Sequence, residues 1–126
     1  MARDFGLRAD ALRVVVPGTD AAARVPGSGG ATCEVLSIGT LIPRKGHDLL
    51  LAAMARLFDL DWRLTIVGSP ERDPAHAASL AAMARDLGIE RRVAFVGETT
   101  GAALDAIWAR TDLFATGTHF EGYGMA

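Results

Sequence analysis

The sequence predicts an α/β fold built on a doubly wound, mostly parallel sheet, and three observations carry that prediction. Short apolar runs alternate with helical patterns from residue 34 to residue 116. The apolar runs lack the in-and-out alternation of a sheet with one wet face, as expected for strands covered on both sides. Glycine closes each run, at Gly39, Gly68, Gly97 and Gly117, where a chain leaving a buried strand must turn sharply or let its backbone meet something closely.

Taken in order, residues 1–12 read as a short helix and turn, and residues 12–16 as a β-branched strand stopped by Pro17-Gly18. From Thr19 to Ala31 the chain is mostly Ala, Gly, Pro and Ser, centred on Pro26-Gly27-Ser28-Gly29-Gly30. That composition predicts a flexible linker with little to bury. No strand precedes these glycines and no periodic helix follows them directly, so they do not read as a phosphate loop. The regular part then has strands at 34–38, 63–67, 93–96 and 113–116. The first helix is expected over 48–58, with Leu50, Ala53, Met54 and Leu57 on one face. The second carries Leu80, Met83, Ala84 and Leu87, with Asp73 as N-cap, Pro74 at the first helical position and Gly88 just past the end. A third, opened by Thr99-Thr100, carries Leu104, Ile107 and Trp108. Strands separated by helices imply right-handed crossovers and hence a parallel sheet.

Bulk properties narrow the function classes. At 126 residues the prior is one domain with a real core. A formal net charge of −2 and the absence of a basic stripe argue against a nucleic-acid partner. The Arg91-Arg92 pair reads as solvated. The single cysteine, Cys33, excludes an intrachain disulfide and a multi-cysteine metal site. Met1-Ala2-Arg3-Asp4 puts charge where a signal peptide needs an apolar core, and no run approaches membrane-spanning length. The chain reads as cytoplasmic.

Parallel α/β sheets bind ligands beyond the carboxyl ends of their strands, which directs attention to residues 39–46, 68–73, 97–100 and 117–124. The first of these holds the only lysine, Lys45, although the other twelve of the thirteen basic residues are arginine. A compact ammonium beside a helix start is a combination suited to phosphate. A dinucleotide loop would need G-x-G-x-x-G, and Gly39-Thr40-Leu41-Ile42-Pro43-Arg44 lacks the second and third glycines. A P-loop would place lysine after glycine, whereas Lys45 precedes Gly46. Both are rejected.

What remains resembles the C-terminal half of a family 4 glycosyltransferase, a GT-B enzyme of the glycosyltransferase group 1 type. Pro17-Gly18-Thr19-Asp20 resembles that family's hinge into its second lobe. The segment from Gly39 through Arg44-Lys45-Gly46 resembles its donor-phosphate loop. Leu64-Thr65-Ile66-Val67-Gly68-Ser69 and Arg92-Val93-Ala94-Phe95-Val96-Gly97 resemble its next two strands. Ala109-Arg110-Thr111-Asp112-Leu113-Phe114 then leads to His119-Phe120-Glu121-Gly122-Tyr123-Gly124, similar to the first half of the family's Glu-x7-Glu motif. On this resemblance the fold is an incomplete, Rossmann-like GT-B C-terminal lobe. Residues 1–17 would be the tail end of the N-terminal lobe, 18–33 a linker, and 34–126 part of the donor-binding lobe.

The resemblance implies a retaining, hexosyltransferase-type enzyme that uses a nucleotide-sugar and needs no metal or other cofactor. Lys45 and Glu121 would be its catalytic residues, Lys45 neutralising the diphosphate and Glu121 accepting hydrogen bonds from the transferred sugar. Donor contacts would come from Gly39, Thr40, Arg44, Lys45, Gly68, Ser69, Glu121, Gly122, Tyr123, Gly124 and Met125, with Arg44 an outer or substitute cation. The acceptor is not implied, and membrane contact would fall to the missing first lobe. Two departures stand out. Thr40 occupies a position where many members have arginine, and the motif's second glutamate would fall three residues past Ala126. The chain therefore reads as a fragment that is inactive alone and leaves an apolar strand edge at 113–116. The alternative is a Rossmann-like binding or interaction module without chemistry. For the remaining singular residues the ordinary readings are preferred. His47 and His76 are taken as surface residues of first helical turns, His119 as a polar loop residue, Trp62 and Trp108 as core packing, and Asp48 as a favourable charge at a helix start.

Overall fold

The structure is a computed structural model that describes residues 24–120 continuously, together with positions 6, 8, 13, 15, 16, 18, 21 and 22. Most of the expected opening helix, residues 12 and 14 of the expected 12–16 strand, and Glu121, Gly122, Tyr123, Gly124 and Met125 lie outside the described residues, and the described positions 13, 15 and 16 are not in a strand. Strand β1 (Cys33–Ile38) occupies the sheet interior because its residues tolerate burial on both faces: Val35, Leu36 and Ser37 are all buried. It pairs in parallel with β2 (Trp62–Val67), from Cys33 opposite Trp62 to Ile38 opposite Val67. Strand β3 (Val93–Phe95) adds to the far side of β2, and β4 (Leu113–Phe114) to the free side of β1. All pairings are parallel, in the order β3-β2-β1-β4. The chain thus walks to one edge, then crosses back, and the reversal falls between β1 and β4.

Helices α1 (His47–Ala55) and α2 (Pro74–Asp86) pack against each other and bury one face of the sheet. Their Leu50, Leu51, Met54, Leu80 and Ala84 close over Val35, Leu64 and Ile66. Helix α3 (Gly101–Ala109) joins β3 to β4, and its Trp108 meets the Phe114 ring at 5.4 Å. The ends of α2 follow the predicted chemistry. The Asp73 carboxylate accepts from the His76 N–H at 2.9 Å, Pro74 opens the helix, and Gly88 follows it with φ of 70°.

Four expectations are corrected. Helix α1 stops at Ala55, not near 58, and buries Leu50, Leu51 and Met54 while Leu57 is exposed. The carbonyls past its end are taken by distant groups: Leu57 O by the Trp62 indole N–H at 2.8 Å, and Phe58 O and Leu60 O by the Arg92 guanidinium. Arg92 also lies 5.1 Å from the Trp62 ring centroid, so it is a packing residue and not a solvated one. The expected 18–33 linker ends one residue early, since Cys33 is already in β1, and its last part is tethered. Asp112 accepts from the Ser28 N–H at 2.8 Å, the Ser28 hydroxyl at 2.6 Å and the Glu34 N–H at 2.9 Å. Its own N–H donates to Glu34 O. Strand β4 is only two residues long, with Leu113 half exposed at the sheet edge.

Candidate functional site

At the carboxyl ends of the strands the loops meet backbone to backbone. Gly39 N–H donates to Val67 O at 2.8 Å, Leu41 N–H to Ser69 O at 3.1 Å, and Gly68 N–H to Gly97 O at 2.8 Å. A Cβ on Gly68 would fall onto the carbonyl of Gly39, and one on Gly46 onto the carbonyl of Gly117. These two approaches explain why glycine stands at 68, 46 and 117, and the second spans the reversal between β1 and β4.

The rim encloses an open cleft of about 340 Å³ lined by Ile38, Gly39, Thr40, Lys45, Val67, Gly68, Ser69 and residues 98–100. Of the donor contacts expected from the sequence, it unites Gly39, Thr40, Lys45, Gly68 and Ser69. Lys45 ends the 3₁₀ turn Pro43–Lys45, which Pro43 opens and Gly46 closes at φ of 60°. Its aliphatic stem lies across Gly39, where a Cβ would come within 3.3 Å of Cδ. The stem is thus laid along the Gly39 backbone, and Lys45 forms part of the cleft wall.

Arg44 does not line this cleft. Its guanidinium donates to Phe120 O at 2.6 Å, while its own carbonyl accepts from His119 N–H at 3.0 Å and the Thr118 hydroxyl at 3.2 Å. Arg44 thus forms a bracket between the β1 loop and the stretch preceding Glu121. Glu121 itself and residues 122–125 lie outside the described residues, so of the two expected catalytic residues only Lys45 is placed. The wall also gains Glu98, Thr99 and Thr100. The sequence marked their loop by Gly97 and read Thr99-Thr100 only as a helix start, with no role for Glu98.

His47 overturns its surface reading. It is 1% exposed, and its Nε2 lies 3.0 Å from Gly39 O. A carbonyl can only accept, so the ring is the Nε2–H tautomer and Nδ1 carries the lone pair. Nδ1 is buried without a partner among the described residues, as are Ser37 Oγ, Asp48 Oδ1 and His76 Nε2. Burial holds the His47 pKa below 6.5, the carbonyls of Gly39 and Thr40 pull it upward, and the charges of His76 and Lys45 depress it further. His76 is half-buried and not at the surface either. No sequence signal distinguishes these histidines from exposed ones. A larger cleft of about 410 Å³ opens at the other end of the strands among Glu34, Arg63, Arg91, Arg92 and Arg110. In doubly wound sheets, however, ligands bind at the carboxyl ends, where the glycine-only approaches are.

The family described as "Glycosyl transferases group 1" matches residues 21–126. Among curated proteins, the chain is 31% identical over 133 residues to the D-inositol 3-phosphate glycosyltransferase of Corynebacterium glutamicum (strain R), covering 92% of this chain and 32% of that protein. It is 33% identical to the enzyme of the same name from Mycobacterium sp. (strain JLS), covering 90% of this chain and 26% of that one. The chain thus spans about a third or less of these relatives' length. Among solved structures, the apo lipopolysaccharide outer core galactosyltransferase WaaB superposes with a TM-score of 0.71 at 24% identity, over 98% of this chain and 35% of that one. Anabaena HepE, in complex with UDP and glucose, gives a TM-score of 0.62 at 26% identity, over 70% of this chain and 23% of that one. The likeness to WaaB identifies the sheet and its helices as the Rossmann-like α/β architecture of GT-B glycosyltransferases. Among the described residues no helix is long and apolar enough to cross a membrane.

Proposed function

Because the chain belongs to the glycosyl transferases group 1 family, we propose that it provides the nucleotide-sugar-binding surface of a retaining enzyme that moves a hexosyl group to an acceptor. The observation that carries this is the placement of Lys45, its stem fixed across Gly39 at a cleft where three strand ends converge. HepE, a structural relative, holds UDP and glucose, which makes a uridine nucleotide the first donor to try. The named relatives act on D-inositol 3-phosphate, so a phosphorylated polyol is the first acceptor to try.

The chemistry follows from charge. When the bond from the anomeric carbon to the diphosphate breaks, negative charge grows on the departing phosphate oxygens. An ammonium about 4 Å away stabilises that charge by about 4 kcal/mol at an effective dielectric near 20. A cation placed before the reaction starts needs no reorganisation as charge develops. Lys45 has that role in this reading, Thr40 and Ser69 flank the phosphates, and Glu98 offers an acceptor to donor hydroxyls. Glu121 would take up the sugar hydroxyls from the loop that Arg44 brackets. The acceptor surface and the rest of the catalytic apparatus would come from the part of the enzyme that this span of the relatives does not include. The isolated chain should therefore bind donor weakly and transfer no sugar.

Calorimetric titration of UDP, GDP and ADP into the chain and into Lys45→Ala tests the reading. One nucleotide should bind preferentially, and the substitution should cut its affinity about tenfold or more, as expected for a lost charge-assisted contact of 1.5–3 kcal/mol. Equal affinity in both proteins would remove Lys45 from the phosphate site. Sugar transfer by the isolated chain would show that this span suffices on its own.

A further inference from the structure

We infer that His47 is a positioning residue that fixes the peptide plane between Gly39 and Thr40, and so aims the Thr40 N–H at the anion held beside Lys45. The inference rests on the donor-cleft reading above and adds to it a residue off the cleft wall. Gly39 is held on both sides. Its N–H donates to Val67 O at 2.8 Å, and its carbonyl accepts from His47 Nε2–H at 3.0 Å. In a trans peptide the carbonyl and the next N–H point in opposite directions. Turning the Gly39 carbonyl toward buried His47 therefore turns the Thr40 N–H away from it. Gly39 and Thr40 line the cleft, whereas His47 does not. Gly68 packs flat against the same plane, since a Cβ there would strike Gly39 O and come within 3.1 Å of Thr40 N. The plane has a stop on one side and a hydrogen bond at one end.

The latch is made by the neutral ring. Protonation would place a second N–H on Nδ1, which is buried and has no partner among the described residues. A buried donor without a partner is costly, so burial opposes protonation while the Gly39 and Thr40 carbonyls favour it, and a change of charge on the ring changes the hold on the Gly39 carbonyl. The charged and titratable groups acting on it, Lys45 from the preceding turn and His76 from the first turn of α2, both oppose its cation. The Lys45 ammonium that binds the anion thus also helps keep the latch closed.

The test compares the chain with His47→Gln and His47→Phe by ¹⁵N-resolved NMR between pH 5 and pH 8, with UDP as the probe ligand. In the parent chain the imidazole should show the Nε2–H tautomer, and the Thr40 amide shift should titrate together with the ring. In His47→Gln, whose amide donates but does not titrate, that pH dependence should vanish while UDP affinity stays within about threefold. In His47→Phe the Thr40 amide should shift and lose exchange protection, and UDP affinity should fall about tenfold, the equivalent of one hydrogen bond. A Thr40 amide that still titrates in His47→Gln, or is unchanged in a folded His47→Phe, overturns the inference. If His47→Phe does not fold, the His47→Gln titration alone decides. If no nucleotide binds the parent chain yet Thr40 follows His47, the donor reading fails and the positioning role stands. If UDP binds through Lys45 while Thr40 ignores His47, the positioning role fails alone.

Discussion

Alanine at Gly46 puts the rim geometry to a quantitative test. Gly46 adopts φ of 60° and ψ of 33° at the N-cap of α1, a left-handed conformation that costs a residue with a Cβ about 1–2 kcal/mol. A Cβ there would also land on the carbonyl of Gly117. That obstacle is backbone, so no rotamer change relieves it, and forced overpacking costs about 1–3 kcal/mol. The total is about 2–5 kcal/mol, less the roughly 0.4–1 kcal/mol that alanine returns by restricting the unfolded chain. Gly88→Ala supplies the control. Gly88 has nearly the same conformation, φ of 70°, but a Cβ there meets nothing within 4 Å. The conformational and unfolded-state contributions largely cancel between the two variants, so their difference isolates the collision. Urea unfolding followed by circular dichroism should place Gly46→Ala about 1–3 kcal/mol below Gly88→Ala, with equal slopes. Amide shifts confined to residues 117–120 should accompany it, because that loop must yield. Equal stabilities for the two variants would refute the claim that the β1 and β4 loops touch through bare backbone.

Two further predictions concern pH and the tether of residues 27–30. His47 has a folded-state pKa below 6.5, so the unfolded chain binds more protons as pH falls below 6.5. Stability should be level above that pH and decline below it, and His47→Gln should remove this part of the decline in acid titrations of the unfolding midpoint. Asp112 shows the carboxylate case: the Ser28 hydroxyl, then the Glu34 and Ser28 N–H groups, hold its pKa below 3.8. Its contribution is present above pH 3.8 and is lost as pH falls through the lower, folded value. Asp112→Ala should accelerate hydrogen exchange at the Ser28 and Glu34 amides while leaving Ile66 and Leu80 protected. Unchanged exchange at Ser28 would show that the tether does not hold in solution.

Some of this was legible in the sequence, and the division follows the range of the interactions involved. The four strands are visible because apolar runs and closing glycines are local signals. The ends of α2 are equally visible, since Asp73, Pro74 and Gly88 each act within one helical turn. The end of α1 is hidden because the groups that capture the carbonyls just beyond it, Trp62 and Arg92, belong to β2 and to the turn before β3. The tether of Ser28 is hidden for the same reason, its partner Asp112 lying 84 positions later. In the cleft, Lys45 and the glycines could be singled out by residue type and place. The direction of Arg44 could not, because the Phe120 carbonyl that draws its guanidinium is supplied by a loop 76 positions away. The burial of His47 is not legible in the sequence, because an imidazole at a helix start is ordinarily solvated. Only the return of the β1 loop over α1 turns it inward.

The two pairs of touching loops lead to one further step. A phosphate site made from backbone needs N–H groups from separate loops to converge on one anion, and side chains at the strand ends would keep those loops apart. Gly39 with Gly68, and Gly46 with Gly117, remove that obstacle at two places along the same rim. Removing the side chains leaves the peptide planes free to rotate, which is entropically costly to arrest at glycine. The structure arrests them with hydrogen bonds from other residues: Val67 and His47 hold Gly39, Gly97 holds Gly68, and Pro43 and Leu50 hold Gly46. Close approach and immobility are thus supplied by different residues. Substitutions at the glycines should therefore lower stability first, while those at His47 and Arg44 should loosen the rim in a chain that still folds.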